Sequence, residues 1–256
     1  MNQYANMIRN LKSPEGMQRL MHLYGNRDGM LVEQTARYTG ILKRHEELFH
    51  ETEQEVMLIS APGRTEIGGN HTDHNRGRVL AAAVNLDTLS AVSARKDMEV
   101  HLYSDGYPAL VLDLNELAVV EAEKGTTAAL IRGVAARMKE LGYKIGGFNA
   151  AVTSSVASGS GLSSSAAFEV MVCAILDQLY NGFTLDFITR AKISQYAENV
   201  YFGKPSGLLD QMASSAGGLV TVDFRNDDPE VRAMNFDFAK YGYSLVVVAT
   251  AAPMPT

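Results

Sequence analysis

The chain has 256 residues, with 23 Lys+Arg against 29 Asp+Glu and a net charge of −6. That acidic balance argues against a nucleic-acid binder, which normally carries a basic stripe, and 46% hydrophobic with 20% charged residues is a globular rather than a disordered composition. The single cysteine, Cys173, excludes a disulfide framework and a cysteine-based structural zinc site, and it suits a reducing compartment.

Residues 1 to 55 read as helical: Met17, Leu20, Met21 and Tyr24 recur at helix spacing, as do Ala36, Ile41, Leu42, Leu48 and Phe49. Val56 to Ser60 is a short apolar run that Ala61-Pro62-Gly63 is expected to halt, a buried strand entering a loop. Val79 to Val84, Thr88 to Ala94, Val100 to Tyr103 and Ala109 to Leu114 follow as strands. Thr127 to Leu141 has helical periodicity and stops at Gly142. A strand at Phe148 to Ser154 leads through a Gly/Ser-rich loop into an apolar helix from about Ser164 to Tyr180. A further helix over about Leu185 to Phe202 precedes strands at Leu219 to Phe224 and Tyr243 to Ala249. The pattern is α+β with a mixed sheet. The start, Met1-Asn2-Gln3-Tyr4, lacks the basic and apolar regions of a signal peptide. No apolar run approaches the roughly 18 residues of a membrane helix, so a cytoplasmic protein with no membrane partner is expected.

Three segments carry chemistry. Ser158-Gly159-Ser160-Gly161-Leu162-Ser163-Ser164-Ser165 combines glycines with the start of an apolar helix, whose free N–H groups and positive dipole end suit an anion such as phosphate. It has neither the lysine of a GxxxxGKS/T loop nor GxGxxG spacing, and alone it could equally be a flexible connector with Ser163 as a helix cap. Arg64 with Gly69-Asn70-His71-Thr72-Asp73-His74-Asn75 gathers donors and acceptors suited to a polyhydroxylated substrate. A metal site at His71-x-Asp73-His74, or simple capping of loop backbone, are the alternatives there. Glu198 on a helix and Asp210 after the Gly203-Lys204-Pro205 break could converge, one on Mg²⁺ and the other on a hydroxyl nucleophile. Alone, they could instead be a surface acid and a helix cap.

Together and in this order, the segments resemble the GHMP family of small-molecule kinases and, within it, the galactokinases. Residues 63–77 (GRTEIGGNHTDHNRG) resemble the signature GRxNxxGEHxDYxxG, residues 158–167 (SGSGLSSSAA) the family's phosphate loop, and Glu198 with residues 207–211 the pattern AExxxxG followed by G(I/L)MDQ. The resemblance implies a GHMP-kinase N-terminal domain of the ribosomal protein S5 domain 2-like fold over residues 55–242, behind a helical segment at 1–54. Residues 243–256 would open a C-terminal domain that is otherwise largely missing. It implies ATP-dependent phosphorylation of a hexose at its anomeric hydroxyl, with ATP and Mg²⁺ as cofactors and a sugar as the small-molecule partner. Asp210 and Arg64 would be catalytic. Gly159, Ser160, Gly161, Leu162, Ser163, Ser164 and Ser165 would wrap the ATP phosphates, and Ser165 and Glu198 would hold the metal. Asn70, His71, Asp73 and Gly207 would bind the sugar. Asn70 stands where the signature has Glu, His74 where it has Tyr, Glu66 where it has Asn, and Ala157 where the loop often has Pro. These departures leave another sugar, or an inactive sugar-binding relative, as competing readings.

Overall fold

The computed structural model describes residues 2–50 and 55–246. Three helices open the chain: α1 (Gln3–Leu11), α2 (Pro14–Tyr24) and α3 (Met30–Phe49). Their starts are set locally. The Asn2 side chain accepts from the Tyr4 N–H at 2.9 Å, and Ser13 accepts from Gly16 N–H ahead of a proline at the first helical position. The expected helical character of residues 51–54 lies outside the described residues.

Seven strands form one sheet: β1 (Val56–Gly68), β2 (Arg78–Ala94), β3 (Glu99–Ser104), β4 (Leu110–Asp113), β5 (Phe148–Ser154), β6 (Leu219–Asp223) and β7 (Glu230–Met234). The order is β4-β3-β5-β2-β6-β7, with β1 paired to β2. Among the described residues only β3 and β5 run parallel; β2 joins the two halves of the sheet, pairing with β6 near its start and with β5 near its end. Four more helices complete the fold: α4 (Thr127–Glu140), α5 (Ser164–Asn181), α6 (Phe187–Tyr196) and α7 (Leu209–Ala216).

The sheet is covered on both faces over β5, which explains why consecutive residues Ala150, Ala151 and Val152 are all apolar and why even Asn149 is buried. Phe148, Ala150 and Val152 join a core with α4, α5 and α6, including Ile131, Val134, Met138, Met171 and Ile175. Ala151, one residue out of phase, joins the opposite layer with Tyr4, Leu20, Met30, Ile41 and Leu42. Each such buried Leu or Ile side chain contributes roughly 1.5–3 kcal/mol against exposure. Among the described residues no helix is long and apolar enough to cross a membrane.

Several boundaries differ from the sequence expectation. The first strand does not stop at Ala61-Pro62-Gly63 but runs to Gly68. Pro62 is tolerated because β1 is paired on one side only, and the register shifts between Pro62 and Arg64. Residues 79–84 and 88–94 belong to a single strand, since β1 pairs across the polar Asn85–Asp87 interval. The helix expected over 185–202 is α6 followed by a π-helical turn, Ala197–Phe202. α7 and β7 were not expected. Residues 243–246 form no strand, and the remainder of that expected strand lies outside the described residues.

Candidate active site

The site begins where β1 passes beneath the Gly/Ser loop. A Cβ on Gly63 would lie 2.8 Å from the Leu162 carbonyl oxygen and 3.2 Å from the Val156 methyls, so a side chain there would push the loop away. With glycine present, the Arg64 N–H donates to that same carbonyl at 3.0 Å. The loop itself turns through Gly159 and Gly161, with φ of +74° and +75°, and Ser163 also adopts a left-handed φ of +59°. A non-glycine residue in that region carries a strain of about 1 kcal/mol or more. Ser163 precedes α5 without capping it; its Oγ instead donates to Asp210 Oδ2.

Asp210 is in the first turn of α7, where the helix dipole favours a carboxylate. Its Oδ1 accepts from both Arg64 Nε and Arg64 Nη2 at 2.7 Å, and Arg64 Nη1 donates to the Gly161 carbonyl at 2.7 Å. Arg64 is buried, while the Asp210 side chain remains 28% exposed. One arginine therefore ties β1, the Gly/Ser loop and α7 together, and the carboxylate keeps a face toward solvent. The Ser214 hydroxyl fixes the other end of α7 by donating to the Pro62 carbonyl at 2.7 Å.

A second cluster adjoins the first through the next residue of α7. Glu198, on the π-helical turn, has a buried side chain whose Oε1 accepts from Ser165 Oγ at 3.0 Å and pairs with Lys204 Nζ at 3.0 Å. Gln211 Nε2 donates to Glu198 Oε2 at 2.7 Å and to Glu169 Oε2 at 3.1 Å. Glu169 is fully buried on α5, and its Oε1 has no hydrogen-bond partner. Burial, followed by the charge of Glu198, pushes the Glu169 carboxyl well above the usual carboxylate range.

The third group is Asp73, in a 3₁₀ turn over Thr72–Asn75. Its Oδ2 accepts from the Leu209 N–H at 3.3 Å, and its buried Oδ1 has no hydrogen-bond partner. A Cβ on Gly207 would lie 1.7 Å from Oδ2, so the carboxylate occupies the space that glycine leaves. Asn199 holds this approach in place: its side chain accepts from Ser206 N–H at 2.7 Å and donates to the Ser206 carbonyl.

The structure thus brings together Arg64, Asp210, Ser163 and Gly161, joins Ser165 to Glu198, and seats Asp73 on Gly207. Asn70 and His71 stand apart as exposed residues with φ of +56° and +52°; the His71 N–H donates to Glu66 at 2.9 Å. Glu169 and Lys204 were not singled out from the sequence, although an isolated acid one turn beyond Ser165 in an apolar helix was a readable signal for the first. Among the described residues no group of three or more His, Cys, Asp or Glu could hold a metal ion; His71 Nε2 lies 3.4 Å from Glu66 Oε2, and His74 Nε2 lies 3.9 Å from Asp73 Oδ1. A cleft of about 1190 Å³ runs along β1 past Pro62 and Ser214, but its lining contains none of the Gly/Ser loop. The converging side chains, rather than this cleft, locate the chemistry.

Comparison with known proteins gives the same arrangement a family. The galactokinase galactose-binding signature matches residues 43–94, and the GHMP kinases N terminal domain matches residues 129–218. The galactokinase of Lactococcus lactis subsp. lactis is 33% identical over 190 residues, covering 73% of this chain and 47% of the relative. That of Streptomyces coelicolor is 36% identical over 198 residues, covering 75% and 49%. The crystal structure of Lactococcus lactis galactokinase complexed with galactose superposes with a TM-score of 0.71 at 29% identity, over 79% of this chain and 53% of that one. The chain spans about half the length of the curated relatives it matches. It belongs to the GHMP kinase family, on the galactokinase branch.

Proposed function

We propose that the chain binds ATP and galactose and transfers the γ-phosphoryl group to the anomeric hydroxyl, giving galactose 1-phosphate. The observation that carries this reading is the Arg64–Asp210–Ser163 constellation at the starts of α5 and α7. Phosphoryl transfer asks little covalent chemistry of a protein; positioning and electrostatics do most of the work. Asp210 Oδ2 already accepts a hydrogen bond from the Ser163 hydroxyl, and a sugar hydroxyl in that place would find the same acceptor. Arg64 offsets the carboxylate's charge and faces the loop through Gly161. The free N–H groups at the start of α5 and the backbone of residues 159–164 offer donors to the phosphates. Asp73, whose buried Oδ1 has no hydrogen-bond partner and only His74 Nε2 at 3.9 Å, is suited to a sugar hydroxyl. The galactose bound in the Lactococcus lactis structure supports galactose as that sugar.

Ser165 and Glu198 fit a role as Mg²⁺ ligands. Their oxygens lie 3.0 Å apart, and the same carboxylate oxygen takes a cationic partner in this structure. Mg²⁺ usually takes only one or two protein oxygens and completes its shell with phosphate and water; when bound, it neutralises charge on the phosphates.

Phosphorus NMR of the chain with galactose, ATP and Mg²⁺ tests the proposal directly by the appearance of a sugar 1-phosphate. Asp210→Asn should reduce the rate by about 10²–10⁴. The substitution also removes the counter-charge of a buried arginine, so a lower melting temperature with a retained circular dichroism spectrum is expected. A variant that turns over near the parent rate would refute the assignment.

A further inference from the structure

Lys204 sits in the loop between the π-helical turn and α7, followed by Pro205, which biases it toward an extended backbone. Its N–H donates to the Glu198 carbonyl at 3.1 Å, so its side chain starts beside that glutamate and folds back onto it. The ammonium reaches Oε1 at 3.0 Å, the same oxygen that accepts from Ser165. The two partners differ sharply in exposure: the Glu198 side chain is 2% exposed and that of Lys204 60%. A solvent-side ammonium therefore caps an almost fully buried carboxylate. Behind it lies Glu169, also buried and joined through Gln211, so the pocket concentrates acidic groups. Among the described residues, Lys204 is the cation paired with Glu198.

We propose that Lys204 is the resident occupant of the divalent-cation position, and that metal binding at Ser165–Glu198 is a cation exchange in which the ammonium leaves Oε1 as the metal arrives. The inference rests on the metal-site reading given above. A Mg²⁺ ion bonds oxygen at about 2.0–2.1 Å, and a lysine ammonium on the same oxygen would face a like charge at close range. Lys204 can give way because its flexible stem already lies largely in solvent, so leaving costs it little desolvation. Glu198 cannot, because its side chain is 2% exposed and its carboxylate is held by Ser165 Oγ and Gln211 Nε2. The exchange gives the metal-free fold a counter-charge for its buried acids. It also sets a threshold that a metal carried by a nucleotide, with the phosphates beside it, crosses more readily than the free ion.

The test uses Mn²⁺ with ADP as the probe, titrated into the parent, Lys204→Met, Lys204→Gln and Lys204→Arg, with bound metal read by electron paramagnetic resonance. Removing the ammonium should tighten Mn²⁺ binding about fivefold, the upper end for a pair with one exposed partner; Lys204→Arg should stay near the parent. Without metal, Lys204→Met should melt below the parent, and Mn²⁺ with ADP should raise it by more degrees than it raises the parent. Equal affinities across the set would overturn the exchange while leaving the metal site intact. Weaker binding by both neutral variants would make Lys204 a phosphate ligand, which also overturns it. If ADP binds but no protein in the set takes up Mn²⁺, the metal-site reading fails and the exchange falls with it.

Discussion

Replacing Gly207 by alanine is the sharpest test of the way the site is assembled. The φ of Gly207 is not in the left-handed region, so the backbone itself would accept a side chain. The obstacle is Asp73. An added methyl would lie 1.7 Å from Oδ2 and 2.5 Å from Cγ, far inside van der Waals contact, and the carboxylate or the loop must move. Moving the carboxylate breaks its hydrogen bond from the Leu209 N–H, one of the contacts that sets the start of α7. A lost hydrogen bond to a charged group costs about 1.5–3 kcal/mol, and overpacking a tight site adds a comparable amount. Partial relaxation leaves an expected destabilisation of about 2–4 kcal/mol, or roughly 5–15 °C in melting temperature for a chain of this size. Galactose affinity, measured by calorimetry, should fall at least tenfold, because the displaced carboxylate is the proposed sugar ligand. The double variant Asp73→Ala, Gly207→Ala supplies the control: with the carboxylate gone the methyl has room, and the two costs should be strongly non-additive. A Gly207→Ala protein as stable as the parent, or a double variant whose costs simply add, would refute the reasoning.

Two pH-dependent predictions follow from groups buried away from solvent. Burial keeps the Glu169 carboxyl protonated in the fold to well above its ordinary range, so as pH rises above about 4.5 the unfolded chain ionises first and stability falls. Glu169→Gln lacks that penalty, and its melting temperature relative to the parent should climb steadily between pH 5 and pH 8; a constant difference would show that Glu169 ionises freely. His45 behaves in the opposite sense. It is fully buried between Tyr4 Oη and Ser93 Oγ, and burial lowers its pKa to about 4. The unfolded chain therefore binds a proton below about pH 6.5 that the fold does not, and roughly 3 kcal/mol of stability should be lost between pH 6.5 and 4. Urea denaturation of the parent and of His45→Gln over that range should show the slope in the first and its loss in the second; equal slopes would count against the buried neutral imidazole.

Much of the sheet and the longest buried helix were legible because their burial is nearly complete. Phe148–Ser154 is covered on both faces and mostly apolar despite the buried Asn149, and Ser164–Asn181 is apolar around almost its whole circumference. Elements decided by partners were not legible. Pro62 and the Asn85–Asp87 interval read as breaks, yet antiparallel pairing between β1 and β2 resumes beyond them after a register shift between Pro62 and Arg64. α7 has only eight residues, two turns, too few for periodicity to speak. The Gly/Ser loop, Arg64, Glu198 and Asp210 were readable as separate signals, and their order suggested one site. The π-helical turn that aims Glu198 inward, and the fold-back of Lys204 onto it, depend on contacts between segments and leave no local trace.

The site also explains why its two halves cannot be tuned apart. Ser163 and Ser165 flank the first residue of α5, and Asp210 and Gln211 are neighbours in the first turn of α7. In each pair one side chain serves the Arg64 cluster and the other the Glu198 cluster. Asp210 and Gln211 are successive helical residues, which diverge by about 100° around the axis, so the start of α7 can address both clusters only at one rotation. A slip of one residue in α7 would aim Asp210 away from Arg64 and Gln211 away from Glu198 in the same movement. The hydroxyl acceptor at Asp210 is thereby held in register with the oxygen pair at Ser165 and Glu198, because Gln211, the next residue of α7, is bonded to the same glutamate.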